Sequence, residues 1–221
     1  MKKADLDVVG SIIEGLNIGL KNLPSLVVAS ICYILTIWIP YINVGTTIAM
    51  NSIPGRLAKG DVISPLFIFD EKYRRDFSAF FLLYAFVYMV TWVGYCFVVI
   101  PGIIISIAMS LAVYILVDFD KSPTDAMKLS NQATYGYKWK IFFIGVVEMI
   151  VIILGGAIVF AIGDAISASV CAILLIAYIA CIMPISLGVK TVIYKKLYLD
   201  LLEEYQSIEV ESAPSETEVN G

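Results

Sequence analysis

The chain has 221 residues, 60% of them hydrophobic and 15% charged, with a mean hydropathy of +0.89 and a net charge of −4. Soluble domains carry about 45–50% apolar and about 25% charged residues, so in water this chain would expose large apolar patches; the composition is that of an integral membrane protein. It contains no His, which excludes a His-dependent triad and a His-liganded zinc hydrolase.

Residues 1–22 lead in with Lys2 and Lys3, but Asp5, Asp7 and Glu14 interrupt any signal-peptide core. Instead Val9, Ile12, Ile13, Leu16 and Leu20 recur at helical spacing on one face. This predicts an amphipathic helix at the membrane surface, weakened by Gly10, Gly15 and Gly19.

From Lys21 to Arg56 the chain carries no charge over 34 residues, where one crossing needs about 20. Pro40 breaks the run, predicting helices at 24–40 and 44–57, with a re-entrant segment as the alternative for the second. The next uncharged run, Phe77–Val117, is 41 residues long. One kinked helix of that length would reach about 60 Å, twice the hydrocarbon thickness. Its break is "VIPGI", where Pro101 suits the first turn of a new helix and Gly102 permits close approach. Helices at 77–99 and 101–118 follow. The last pair is expected at 141–162 and 165–194, around the polar turn "IGDAIS".

The expected fold class is therefore an all-α integral membrane protein with six transmembrane helices in three hairpins. An N-terminal amphipathic segment (1–22) precedes the membrane domain (23–200), which includes a short cytoplasmic helix between crossings four and five. In this arrangement the Lys and Arg clusters at 2–21, 56–75, 121–140 and 190–196 share one side, which the positive-inside rule makes cytoplasmic, with both termini. Residues 201–221 hold six of the 19 acids and no Lys or Arg from Glu203 onward, as expected of a disordered, self-repelling tail.

The charged stretch "VDFDKSPTDAMKLSNQATYGYKWK" (117–140) has two readings. Asp118, Asp120 and Asp125 could gather a divalent cation with a substrate phosphate. The reading favoured on local grounds is a capped elbow: Ser122 caps, Pro123 takes the first helical position, and Asp125 reaches back in the manner of a capping box. Ala126, Met127, Ser130 and Ala133 or Thr134 make a narrow semi-apolar face. Gly136 ends the helix in a left-handed cap, and Tyr135, Tyr137 and Trp139 are interface anchors among lysines. On this reading there is no metal site, catalytic residue or cofactor.

The order Pro101, Gly102, Asp118, Ser122, Pro123, Ala126, Ser130, Gly136, Trp139 and Phe142 resembles a bacterial membrane-protein family. It includes the membrane domain found beside some glycerophosphodiester phosphodiesterases and stand-alone relatives without an established activity. The resemblance extends weakly to Leu20–Leu26 and Gly60–Asp70 and covers most of residues 15–195. It implies a six-helix membrane module and not phosphodiesterase activity, since the family's catalytic part is a separate barrel with histidines.

Glu148 is the one acid well inside an apolar run, seven residues past Ile141 and so about 10 Å deep. It is a proton-relay or substrate-binding candidate, or a structural carboxyl bonded to a neighbouring helix. A hairpin turning near Asp164–Ala165 sets it opposite residue 182, leaving Lys190 two turns nearer the cytoplasm, where it is expected to snorkel. Cys32, Cys96, Cys171 and Cys181 all fall in apolar runs with no C-x-x-C pair, as small buried thiols do. Small residues (Gly155, Gly156, Ala161, Ala165, Ala168, Ala172) suit close packing within the chain or a homodimer face. The leading functional expectation is a non-enzymatic, lipid- or partner-binding module of the bacterial inner membrane. Its expected partners are membrane lipids, with a membrane-protein partner or homo-oligomer next and no nucleic acid. A small transporter using Glu148 is the alternative, and a membrane-embedded enzyme on lipid phosphates using Asp118 and Asp120 comes third.

Overall fold

The computed structural model describes residues 6–61, 63–75 and 77–199, all helix and loop. The acidic tail at 201–221 and Lys2 and Lys3 lie outside these residues. The helices are α1 (Val8–Lys21), α2 (Leu23–Thr36), α3 (Pro40–Ala58), α4 (Lys72–Arg75), α5 (Phe77–Phe97), α6 (Val99–Ala108), α7 (Ala112–Phe119), α8 (Pro123–Thr134), α9 (Lys138–Asp164) and α10 (Ala168–Tyr194). The last continues through a π turn, Lys195–Leu199.

Four helical stretches are long and apolar enough to cross a membrane: Phe77–Phe97, Val99–Phe119, Lys138–Asp164 and Ala168–Leu199. The pair α1 and α2, bent by 81°, makes a fifth if taken as one span. The expected six crossings are therefore not reached, and the shortfall lies in 24–40 and 44–57. The first became a 14-residue helix, α2, too short to span alone at about 1.5 Å per residue. The second became α3, whose 19 residues include Asn43, Thr46, Thr47, Asn51 and Ser52.

Those polar groups explain where α3 sits. Thr47 donates to Asn43 Oδ1 at 2.8 Å, Asn51 to the Thr47 carbonyl at 2.8 Å and Ser52 to the Ala49 carbonyl at 2.7 Å. With its hydroxyls and amides turned onto itself, the helix can be enclosed by protein. Ile48, Ala49 and Ile53 are fully buried in a core shared with Leu26 of α2, Ile63, Ile68 and Tyr73. A second core joins Leu111, Ile115 and Leu116 around α7 to Tyr194 and Leu197 at the end of α10.

Helix α1 forms, N-capped by Asp7, which accepts from Gly10 N–H at 2.7 Å. Its expected apolar stripe is mostly left outward, and the face packed on the protein is the one with the small residues. Ser11, Gly15 and Gly19 are buried, while Val9, Ile13, Leu16 and Leu20 point outward. The glycines that weaken the helix let it lie directly on α10: a Cβ at Gly15 would stand 2.5 Å from Val189 Cα, and one at Gly188 would stand 2.1 Å from the Gly15 carbonyl. Small residues four apart thus let the two helix backbones approach closely. Lys196 pairs with Glu14 at 2.8 Å where the two helices meet the polar end.

Two hairpins reach away from the cores. Helices α5 and α6 are joined by Val98 alone, in extended conformation, with the Tyr95 ring lying where a Gly102 side chain would be. The tip residues Phe97, Val98, Val99 and Ile100 are exposed, Phe97 at 79%. In the α9/α10 hairpin Tyr178 donates to the Ile152 carbonyl at 2.9 Å beside Gly155, and Gly163 meets Cys171. Small residues there serve packing within the chain. Beyond these contacts both faces present apolar side chains outward, among them Ile158, Phe160, Ile166 and Ile173. Lipid is the solvent that tolerates such a surface. The thiols divide: Cys171 is buried and Cys32 partly so, but Cys96 and Cys181 are exposed on these outer faces, against the expectation that all four are interior.

Candidate functional site

The elbow folds by local rules. Ser122 Oγ accepts from the Asp125 N–H at 3.2 Å and donates to Asp125 Oδ2 at 2.7 Å, with Pro123 in the first turn. Asp125 thus bonds the capping hydroxyl, where a capping box would bond the cap's own N–H. Gly136 takes φ +85° just past the helix end, a conformation costly for any residue with a Cβ. Asp120 ends α7 with φ 49°, a left-handed position that Asp tolerates better than most.

Ser130 does more than line a face. It is fully buried, donates to the Ala108 carbonyl at 2.7 Å and receives the Leu111 N–H at 3.1 Å. These two backbone groups flank the break between α6 and α7, so the span expected as one helix at 101–118 is interrupted at Met109–Leu111 and stitched by a hydroxyl from α8. The elbow helix is thus packed into the bundle through Ala126, Ser130, Ala133 and Thr134.

Asp118 lies in the last turn of α7 with its side chain 13% exposed. Lys59, from just beyond α3, donates to Oδ1, and Tyr194 of α10 donates to Oδ2 at 2.9 Å. Lys59 also lies 5.3 Å from the Phe119 ring centre. Gly55 of α3 makes room: a Cβ there would be 3.1 Å from the Asp118 carboxyl carbon. Asp118 therefore joins three helices, Asp125 serves the cap, and Asp120 closes α7. The three carboxylates have separate tasks, and among the described residues no group of three acids or thiols stands close enough to share a metal. Lys59 and Tyr194 lie 59 and 76 residues from Asp118, so no local pattern could have joined them to it.

Glu148 is half-buried on α9 and accepts a hydrogen bond from Ser186 of α10 at Oε1. The register differs from the expected partner, residue 182, by one helical turn. A cavity of about 310 Å³ opens beside it, lined by Ser110, Tyr114, Gly145, Glu148, Lys190 and Ile193 among others. A smaller cavity of about 110 Å³ touches the other side of Glu148 and is walled by α1 and α10, including Ile12, Leu16 and Val189. Lys190 is exposed and also lines the larger cavity, and among the described residues no ion pair joins it to Glu148.

A third feature sits at the α8–α9 junction. A groove of about 390 Å³ is floored by Ile100, Ile103, Ile104 and Ile107 of α6 and edged by Tyr135, Lys138, Trp139 and Phe142. Trp139 stacks near Phe143 at 6.2 Å and meets Phe142 edge-on at 6.0 Å, while Lys138 reaches Asn131 Oδ1 at 3.3 Å. Sequence reading reached Trp139 as an anchor but missed the groove, whose floor comes from a helix some 35 residues earlier.

No family model, no curated protein and no solved structure matches this chain.

Proposed function

We propose that this chain is a non-enzymatic, multi-pass module of a bacterial cytoplasmic membrane that holds a membrane lipid. The observation that carries the reading is the groove at the α8–α9 junction: an isoleucine floor fit for an acyl chain, edged by Trp139, Tyr135 and a lysine fit for the interface and a phosphate. In keeping with this, the carboxylates Asp118 and Asp125 are engaged in joining helices and capping. Retention of native lipid through purification tests the proposal.

The topology that goes with it is three hairpins with the elbow, the basic clusters and both termini on the cytoplasmic side, following the positive-inside rule. In it the bent pair α1 and α2 and the enclosed helix α3 supply the polar-lined first hairpin. Kinship with the family of the phosphodiesterase-linked membrane domain is proposed on the elbow motif from Pro101 to Phe142. A second copy of the chain is a further candidate partner through the outward apolar faces of α9 and α10.

One observation favours a second reading, a small transporter component. Glu148 borders cavities on two sides, as a relay group would. Solute uptake into proteoliposomes that Glu148→Gln abolishes, with the fold retained, would replace the lipid-module reading by this one.

A further inference from the structure

The cavity beside Glu148 has a chemistry of its own. It is lined by one acid, Glu148 of α9, and one base, Lys190 of α10, with Ser110 and Tyr114 among apolar side chains. Among the described residues the one donor on Glu148 is Ser186, at Oε1, and Lys190 has no hydrogen-bonded or ion-paired acceptor. Because Ser186 and Lys190 are four residues apart on α10, the carboxylate is fixed about one helical turn, roughly 6 Å, from the root of the lysine. Two opposite charges held apart on one wall match a ligand that carries the reverse pair at a similar separation.

We propose that this cavity binds a zwitterion made of a primary ammonium and a phosphate, its ammonium on Glu148 and its phosphate on Lys190. A primary ammonium suits the site because a carboxylate accepts N–H hydrogen bonds, which a quaternary ammonium cannot offer. Recognition of a quaternary group instead uses several aromatic faces, and Tyr114 is the single aromatic side chain on this cavity's wall. Lysine binds phosphate as a point charge and accepts many orientations of it. Phosphoethanolamine, as a lipid headgroup or as a free solute, has this chemistry. The inference rests on the lipid-module reading and adds to it a second site, separate from the groove at the α8–α9 junction.

Gly145 supplies a clean perturbation. A Cβ there would meet no atom within 4 Å, so the side chain of Gly145→Leu starts in open space on the cavity wall and obstructs the cavity. The full chain, in micelles containing equal phosphatidylethanolamine and phosphatidylglycerol, is examined by native mass spectrometry. Several-fold preferential retention of phosphatidylethanolamine is expected, lost in both Glu148→Gln and Gly145→Leu while their melting temperatures stay near the parent's. In parallel, free O-phosphoethanolamine at millimolar concentration is tested for thermal stabilisation. Stabilisation that Glu148→Gln removes, without lipid preference, assigns the site to the soluble zwitterion. Equal retention of the two lipids with no such stabilisation overturns the proposal while leaving lipid binding in the groove standing. A preference that survives Gly145→Leu also overturns it, since the selective site then lies elsewhere.

Discussion

Tyr194 of α10 donates to Asp118 of α7 at 2.9 Å, and the same carboxylate receives Lys59 from the end of α3. Three helices from distant parts of the chain are thereby held at one carboxyl group near the polar end of the bundle. Removing the hydroxyl in Tyr194→Phe keeps the ring on Tyr198, stacked at 5.6 Å, and isolates the hydrogen bond. Bonds to charged groups contribute about 1.5–3 kcal/mol, so a loss near the lower end is expected for this partly exposed site. Combining Tyr194→Phe with Lys59→Met should cost measurably more or less than the two losses added, because both act on one carboxylate. Denaturant unfolding in detergent gives the three values, and strict additivity would mean the groups act separately.

The α1–α10 contact depends on missing side chains. Gly188→Ala would drive a methyl group to within 2.1 Å of the Gly15 carbonyl, a backbone atom that cannot turn aside. Overpacking of this kind costs about 1–3 kcal/mol and should lift α1 from the bundle. Gly145→Ala, where a Cβ meets nothing, should be neutral or slightly stabilising through helix propensity. Limited proteolysis within residues 8–21 reads the difference; equal resistance in both variants would show that α1 is held by other means.

Ser130→Ala leaves the Leu111 N–H and the Ala108 carbonyl without their side-chain partner at the α6–α7 break. Orphaned buried groups cost about 1–3 kcal/mol each way they are counted. Hydrogen exchange at residues 109–112 should accelerate at least tenfold, with exchange in α10 nearly unchanged. Unchanged protection at Leu111 would mean that the break is stable without the hydroxyl.

The proposed sidedness is checked by a membrane-impermeant thiol reagent on cells, in a background with the native cysteines replaced. A cysteine at Ser167, in the α9–α10 turn, should label from outside, and one at Thr124, on the elbow, should not. The reverse pattern would invert the topology.

The elbow was legible because its determinants are neighbours: Ser122 and Asp125 are three residues apart, and Gly136 needs only its own backbone freedom. The break near Pro101 was legible for the same reason, since proline acts on the turn that contains it; the break beside Pro40 was legible but misplaced, because Pro40 opens α3 instead of closing the helix expected at 24–40. The break at Met109–Leu111 was not, because "AMSLA" carries no Pro or Gly and the interruption is satisfied by Ser130 from another helix. The apolar stripe of α1 was legible, but its packed side was not, because Ser11, Gly15 and Gly19 read as helix-weakening residues and are the ones that lie against α10. The same inversion hid α3, whose polar content reads as a weak crossing and is in fact the enclosed centre of a core. At Glu148 a partner on the neighbouring helix was legible, but its identity was set by the hairpin register, which shifted by one turn to Ser186.

The most direct test of the central claim is native mass spectrometry of the chain purified from its own membrane, beside Ile103→Trp. That substitution fills the isoleucine floor of the groove. The account predicts that the parent chain carries a bound phospholipid in near-stoichiometric amount and that Ile103→Trp, folded with a similar melting temperature, loses most of it. A parent chain free of lipid under gentle extraction, or equal lipid retained by both, would contradict it.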